Sequence, residues 1–219
     1  MKTEPHPNCR RCPRLSRYIG KFRRVEPEWH NAPVPTWVPQ QGVDAVKVLI
    51  IGLAPGLRGA NRTGRAFTGD ASGKLLHPTL LKFGFAKGQF HNMPDDGMEL
   101  VDCAITNAVR CVPPENKPTG TEINNCRKFL SATIKQFSNL DAIITLGKIA
   151  HDSKLRALEV RIADYPFAHN EKYEIERVSV VSSYHCSRYN VNTGRLTQKM
   201  FEDVFSELRS SLRSSDVEN

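Results

Sequence analysis

A glycine-rich segment at residues 52–74, GLAPGLRGANRTGRAFTGDASGK, carries side chains that could do chemistry. Its six glycines leave the backbone open to close approach, and Phe67 and Asp70 lie between them. A phenyl ring can stack on a planar base, and a carboxylate can hold a water or face a developing cation. The segment matches neither G-x-G-x-x-G nor G-x-x-x-x-G-K-[ST], so a nucleotide-phosphate site has little support.

Two further polar residues follow apolar runs elsewhere in the chain. Asn107 comes after LVDCAIT, and His185 ends ERVSVVSSYH. The amide of Asn107 offers both a donor and an acceptor, and an imidazole can hydrogen-bond an oxygen that gains negative charge. With Phe67 and Asp70, these groups suit cleavage of a glycosidic bond, in which a base leaves as an anion from a cation-like sugar. Taken alone, Asp70 also suits a helix cap and His185 a buried core position.

The hydrophobic pattern indicates which elements would position these residues. Continuous apolar runs predict strands at 45–52, 100–106, 141–147 and 176–185, and helical periodicity predicts helices at 72–83, 121–137, from Lys148 onward and at 195–212. Strands that alternate with helices predict a layered α/β sandwich on a mainly parallel sheet. Ligands bind such sheets beyond the carboxyl ends of the strands, so Gly52, Asn107 and His185 should meet at one edge.

Length and composition indicate one globular domain over 1–219. The chain has 219 residues, of which 39% are hydrophobic, and no apolar run approaches the ~20 residues that span a bilayer. Residues 1–26 have no signal-peptide character, and the polar end 209–219 is expected to fray. We therefore expect a soluble cytoplasmic protein. The net charge of +8 indicates an attraction to polyanions, of which nucleic acid is the commonest in cells.

Four of the six cysteines have the spacing of metal ligands. Cys9 and Cys12 form a C-x-x-C pair in the N-terminal segment, and Cys111 and Cys126 follow at a wider separation. In a reducing compartment disulfides are not expected, so this set indicates a metal or iron–sulfur site. Spacing alone does not separate the two, and zinc stays open at this point.

Three long segments resemble the signatures of the family 5 (type B) uracil-DNA glycosylases: GLAPGLRGANRTGRAFTGDASG, NAVRCVPPENKPTG and SSYHCSRYNVNTGRLT. The resemblance extends from Cys9 to about Phe205. It implies a three-layer α/β/α sandwich with a central four-stranded parallel sheet. It also implies a DNA repair enzyme that flips uracil out of DNA, hydrolyses the N-glycosidic bond and leaves an abasic site. Its cofactor would be a structural [4Fe–4S] cluster on Cys9, Cys12, Cys111 and Cys126.

The resemblance further implies roles for individual residues. Asp70 would position or activate water, Asn116 would help to fix it, and His185 would stabilise charge on the leaving base. Phe67 and Asn107 would bind the base, together with Gly52 and Ala54. The space beside Ala54 would admit other deaminated bases such as hypoxanthine.

Contacts to DNA are expected from residues that lie near these segments. They are Arg62, Arg65, Arg188, Tyr189, Asn190 and Arg195. The expected partner is DNA that contains uracil or another deaminated base. We expect the protein to bind this DNA as a monomer at the nucleoid, and we expect no membrane partner. Two alternatives remain open: a non-catalytic, zinc-stabilised nucleic-acid-binding module, and a metal-dependent nucleotide hydrolase.

Overall fold

The structure, a computed structural model, describes the backbone of residues 2–217 and side chains as far as Leu212. Its strands are β1 (Val48–Gly52), β2 (Ala86–Lys87), β3 (Glu99–Leu100), β4 (Cys103–Asn107), β5 (Ala142–Leu146), β6 (Glu171–Ile175) and β7 (Val178–Ser183). Its helices are α1 (Pro13–Val25), α2 (Ala60–Thr63), α3 (Gly73–Lys82), α4 (Gly120–Gln136), α5 (Lys148–Ala157), α6 (Arg188–Asn192) and α7 (Gln198–Val217).

The central sheet has the strand order β4–β1–β5–β7–β6. Strands β4, β1, β5 and β7 pair in parallel, which confirms the predicted α/β class and its four parallel strands. In this register Gly52 lies beside Asn107 and Leu146 beside Ser183, so the strand ends share one edge.

A fifth strand, β6, was not predicted. It pairs antiparallel with β7 at the sheet edge. Its sequence EKYEI is mostly charged, and only Ile175 is fully buried. An edge strand with one solvated face needs few apolar residues, so hydropathy gives little sign of it.

Helices cover both faces of the sheet and complete the three layers. Val48 and Ile50 of β1 pack into the core shared with α3 and α7, while Leu49 and Ile51 pack on the opposite face against residues of α4 and α5. Every residue of β1 is buried, as expected for a strand between two helical layers. Among the described helices, none is long and apolar enough to cross a bilayer.

In the N-terminal segment, residues 13–25 form α1, a helix that was not predicted from the sequence. Pro13 starts this helix, a position at which its missing N–H costs nothing. Leu15 is buried against Phe129 of α4, and Arg14 donates two hydrogen bonds to Glu122, at 2.8 and 2.7 Å. These contacts bring Cys9 and Cys12 towards α4.

The C-terminal tail also differs from expectation. Helix α7 continues through Val217, so the backbone of 209–217 is helical rather than frayed. Arg209 contributes to this order by donating hydrogen bonds to the carbonyls of Phe83 and Gly84 and to Asp102. Residues 218 and 219 of the predicted tail lie outside the described part of the chain.

Candidate active site

A cavity of about 690 Å³ opens at the carboxyl edge of the sheet. Its volume is typical of small-ligand sites. The loops after β1, β4 and β7 supply most of its lining. Six of the seven residues predicted to act in catalysis or base binding line it together: Ala54, Phe67, Asp70, Asn107, Asn116 and His185.

Gly52 allows an aromatic ring and an amide to meet at the base of this cavity. A Cβ atom built on Gly52 would lie 2.5 Å from both Asn107 Oδ1 and Phe67 Cζ. Any larger residue would therefore push one of the two side chains aside. A glycine is required at the end of β1 because the side chains of Phe67 and Asn107 approach its backbone closely.

Phe67 is held in a left-handed backbone conformation, with φ of 54°. Its carbonyl oxygen accepts a hydrogen bond of 2.9 Å from His77 Nε2. A Cβ atom on Gly73 would overlap that same oxygen. A non-glycine residue with positive φ persists only where its surroundings fix it, so these contacts hold the buried ring in place.

His77 was not identified from the sequence, where it lies within an apolar helical pattern. Its ring is buried between Trp37 and Phe90, at centroid distances of 5.7 and 4.6 Å. Burial, together with the positive charge of Arg65, lowers the pKa of His77 to about 3. The ring is therefore neutral, and because a carbonyl only accepts, its proton lies on Nε2. A histidine on an apolar helix face was the available signal.

The two carboxylate oxygens of Asp70 have different surroundings. Oδ1 accepts hydrogen bonds from the amides of Ser72 at 2.9 Å and Gly73 at 3.3 Å, which caps the start of α3. Oδ2 has no hydrogen-bond partner among the described residues. It lies against the backbones of Gly56 and Gly59, where a Cβ on Gly59 would overlap the carboxylate. These glycines give Asp70 its place in the cavity wall.

His185 follows β7 and faces the ring of Phe67. The two ring centroids lie 6.1 Å apart with 30° between the planes. Asn190 Nδ2 donates a 2.8 Å hydrogen bond to the carbonyl of His185 and so fixes its backbone. Burial lowers the pKa of His185, and the charge of Asp70 opposes this only in part. The imidazole is therefore neutral near pH 7 and can donate one hydrogen bond.

The two asparagines occupy different depths of the cavity. Asn107 is 3% exposed, and its side-chain amide has no hydrogen-bond partner among the described residues. The amide atoms of Asn107 are not among the buried unpartnered polar atoms, so they are open to water or a ligand in the cavity. Asn116 is exposed at the mouth and has a φ of 57°, directly after Glu115 with a φ of 55°.

Of the residues predicted to contact DNA, only Arg188 and Tyr189 line the cavity. Tyr189 is 72% exposed on the short helix α6. Asn190 braces His185 as described, and the guanidinium of Arg195 stacks on Tyr184 at 4.7 Å from the ring centroid. Arg62 donates a 3.0 Å hydrogen bond to the carbonyl of Arg58 and stays outside the cavity.

Arg65 requires a correction. Its guanidinium is buried, forms two hydrogen bonds to Asp96 at 2.8 and 2.9 Å, and stacks on Trp37 at 4.5 Å. Such a paired, stacked arginine is structural and does not reach a phosphate. Arg58, which was not predicted to contact DNA, is exposed and lines the cavity instead. One arginine among several in a loop gives no sequence signal of its orientation.

Four cysteines line a second, small pocket between α1 and α4: Cys9, Cys12, Cys111 and Cys126. The backbone amide of Arg110 donates a hydrogen bond to Cys126 Sγ at 3.4 Å. Cys103 and Cys186 are buried elsewhere and do not line this pocket. Among the side chains that the structure describes, no three of His, Cys, Asp or Glu are grouped so as to hold one metal ion.

Comparison with known proteins gives consistent matches. The model of the uracil DNA glycosylase superfamily matches residues 39–209. A type-5 uracil-DNA glycosylase of Thermus thermophilus is 38% identical over 208 residues, which is 92% of each chain. Another, of Pyrobaculum aerophilum, is 39% identical and covers 90% of this chain and 86% of its own. A type-4 uracil-DNA glycosylase of Archaeoglobus fulgidus is 28% identical over 68% of this chain and 69% of its own.

Proposed function

The chain belongs to the uracil DNA glycosylase superfamily, and on that premise we propose that it hydrolyses the N-glycosidic bond of uracil in DNA. The product is an abasic site in an uncut strand. The observation that carries the proposal is the meeting of Phe67, Asn107, His185 and Asp70 in one cavity. A duplex base cannot reach such a cavity without leaving the stack, at a cost of a few kcal/mol.

The base would be recognised at the bottom of the cavity. A uracil stacked on Phe67 turns its edge towards Asn107, whose unpartnered amide offers one donor and one acceptor. Uracil presents an N–H between two carbonyl oxygens, which suits that pair. The neutral imidazole of His185 then donates a hydrogen bond to the base oxygen on which negative charge collects.

Hydrolysis would take place on the sugar side of the cavity. A water held by the free Oδ2 of Asp70 adds its oxygen to C1′ of the deoxyribose as the C1′–N1 bond breaks. The bonding electrons leave with the base, and the water gives up its proton to the carboxylate. Asn116 at the mouth helps to position the water or the sugar. Among the described residues, no lysine lines the cavity, so no amine is present to cut the strand through a Schiff base.

Bases other than uracil would also fit. Ala54 lines the cavity with a single methyl group, which leaves space that a larger side chain would fill. Hypoxanthine, a deaminated purine, also presents an N–H beside a carbonyl oxygen, on a larger ring system. We therefore include deaminated purines in the proposed substrate class.

The surroundings of the cavity would hold the DNA. Arg188 and Arg58 lie on its rim, with Arg62 and Arg195 beyond it, and these cations suit phosphate oxygens. The exposed ring of Tyr189 could enter the gap that the extruded base leaves. The proposed place of action is the nucleoid, where the substrate is. The proposed working unit is a monomer, since one chain supplies all the residues of the cavity.

We also propose that Cys9, Cys12, Cys111 and Cys126 hold a structural [4Fe–4S] cluster. Burial raises the pKa of the Cys111 thiol, and the neighbouring charges of Cys126, Cys9 and Cys12 raise it further. Because four thiolates this close together repel one another, they require a cation among them. A single zinc ion needs each of the four cysteine sulfurs about 2.3 Å from it. In a [4Fe–4S] cluster the sulfurs bind different iron atoms, so they can lie further apart. When bound, the cluster would tie α1 to α4.

The cluster proposal predicts a brown protein with absorbance near ~400 nm. Cys126→Ser should lose the colour and lower the melting temperature. Cys103→Ser, which changes a buried cysteine outside the pocket, should keep the colour. Stoichiometric zinc without iron in the purified wild type would disprove the proposal.

The glycosylase activity is tested with a duplex that contains one uracil, in the presence of chelator. Wild type should release uracil and leave a strand that breaks only after alkali. Asp70→Asn should release it at least about 100-fold more slowly while it binds the duplex normally. No release by wild type in chelator would favour the metal-dependent hydrolase. DNA binding without any release would favour the non-catalytic module.

A further inference from the structure

A cavity of about 680 Å³ lies along the outward face of α4, and we call it the α4 groove. It shares no lining residue with the active-site cavity. Its cationic residues are Arg127, Lys128 and Lys135 of α4 and Arg156 of α5. The only acidic residue in its described lining is Glu159.

These four cations form no ion pair with any described residue. Elsewhere on the surface the opposite is common, as Lys148 pairs with Asp152 and Lys199 with Asp203. The positive charge of the α4 groove is therefore not neutralised by neighbouring side chains. A groove lined by one sign of charge concentrates counter-ions of the other sign.

Arg127 and Arg156 carry two of the unpaired charges in the groove and interact with each other. Arg127 Nε is buried and has no hydrogen-bond acceptor. Burial lowers the pKa of Arg127, and the charge of Arg156 lowers it further, so two like charges repel each other here. An anion between the two guanidinium groups would accept from their terminal N–H groups and offset the repulsion.

The rest of the groove suits a phosphate backbone better than a protein surface. Its other lining residues on α4 are mostly polar, including Asn124, Ser131 and Gln136. None of the exposed large hydrophobic residues found in the described part of the chain lies in it. Protein interfaces need buried aromatic or aliphatic anchors, whereas phosphate contacts need cations and amides.

The dimensions of the groove also fit nucleic acid. From Asn124 to Gln136 the helix rises about 18 Å, which equals about five steps of 3.4 Å along one DNA strand. Lys128 also lines an adjoining cavity with Lys2, Arg10 and Arg11. The acidic residue of that lining, Glu4, is paired with Arg110, so the cationic surface continues past the end of the groove.

We propose that the α4 groove binds the phosphate backbone of a second nucleic-acid segment, apart from the strand held at the active site. The choice of nucleic acid as the anion rests on the proposed function. A protein with two such surfaces can hold one segment while its active site releases another, and so move between segments without dissociating.

The test uses full-length protein saturated with unlabelled abasic-site duplex. A labelled, undamaged duplex is then added and its anisotropy is measured over a range of salt concentrations. The double variant Arg127→Gln/Arg156→Gln should bind it about 10-fold more weakly, with a salt slope reduced by about 2, since each lost phosphate contact removes about 0.9. Lys128→Gln/Lys135→Gln, at two exposed positions, should behave in the same way.

The control is Lys148→Gln/Lys199→Gln, which removes the same charge from paired surface lysines. Its affinity should stay within twofold of wild type, and all variants should excise uracil from a short duplex at the wild-type rate. Equal affinity of the groove variants and the control would overturn the proposal. So would calorimetry in which inorganic phosphate binds wild type but the second duplex does not. Failure of uracil excision by wild type would instead count against the proposed function, because second-duplex binding is measured separately.

Discussion

At the scale of the residue, the active site depends on glycines, which have no side chain, as much as on the residues that line the cavity. Gly52 and Gly59 bring backbone where a side chain would strike Phe67, Asn107 or Asp70. The carboxylate of Asp70 is thereby held between the start of α3 and the backbone of the loop after β1. A base pocket built in this way is sensitive to a single added carbon.

The clearest such test is Gly59→Ala, whose new Cβ would overlap the Asp70 side chain. We expect a loss of at least about 10-fold in uracil release, because small displacements of a catalytic group are costly. Gly20→Ala is the control, since no heavy atom lies within 4 Å of its Cβ. A Gly59→Ala enzyme with wild-type single-turnover rates would show that the position of Asp70 is not critical.

His77 provides a second residue-scale prediction. His77→Phe keeps an aromatic ring but removes the hydrogen bond to the Phe67 carbonyl, whereas His77→Gln retains a donor. We expect His77→Phe to lower the single-turnover rate about 10-fold, with a smaller effect from His77→Gln. Because the ring is already neutral, neither variant should change the pH profile between pH 5 and 8. Equal rates for the two variants would show that the hydrogen bond to the Phe67 carbonyl does not affect the single-turnover rate.

At the scale of the element, the sequence predicted the parts that have strong local patterns. The four buried strands and the helices α3, α4, α5 and α7 follow from apolar runs and periodicity. Asp102 explains one shifted boundary: its φ of 56° interrupts the run LVDCAIT, so β4 begins at Cys103. Tertiary structure sets the left-handed backbone conformation of this aspartate, and a hydropathy pattern does not reveal it.

The site was predicted in the same uneven way. The motif residues meet because the carboxyl ends of parallel strands share an edge, which sequence order alone implies. Orientation was not predictable: Arg65 turns inward to Asp96, while Arg58 turns to the cavity. Which of the two arginines turns inward depends on Asp96, which lies 31 residues from Arg65 in a loop without a hydrophobic pattern.

Helix α4 offers an element-scale prediction, because Glu122 both closes its capping box and accepts hydrogen bonds from Arg14 of α1. Glu122→Ala should lower the free energy of unfolding by roughly 2 kcal/mol, from the lost cap and the lost charged hydrogen bonds. Glu174→Ala, which breaks an exposed pair with Lys172, should cost less than about 0.5 kcal/mol.

The effect of Glu122 should also depend on pH. The hydrogen bond from Arg14 lowers the pKa of Glu122 in the folded protein. Its contribution is therefore complete above the unfolded pKa of about 4.3 and is lost as the pH falls through the folded value. Urea unfolding should show the gap between wild type and Glu122→Ala closing in acid. A constant gap would indicate that packing, rather than charge, accounts for the effect.

At the scale of the whole molecule, stability should vary with pH because of Lys154 on α5. The side chain is fully buried and its Nζ has no hydrogen-bond partner. Burial lowers the pKa of Lys154 to about 7. Below that pH the folded protein must carry a buried charge, so stability should rise as the pH increases from 7 towards 10.

Lys154→Met should remove this dependence. A shift of a few pKa units corresponds to several kcal/mol, so the variant should be more stable than wild type at pH 7 by roughly 2 kcal/mol or more. The advantage should shrink as the pH approaches 10. Thermal unfolding across this range, with Lys148→Met as an exposed control, measures the effect. A variant less stable than wild type at pH 7 would indicate an interaction of the lysine that offsets its burial.

The proposed reaction requires a base to leave the duplex and enter the cavity between Phe67, Asn107 and His185. The most direct measurement is a crystal structure of Asp70→Asn bound to a duplex with one uracil. We expect the uracil to be extruded, stacked on Phe67 and hydrogen-bonded to Asn107, with its C1′ facing position 70. A uracil that remains paired in the duplex, or that binds outside this cavity, would contradict the account.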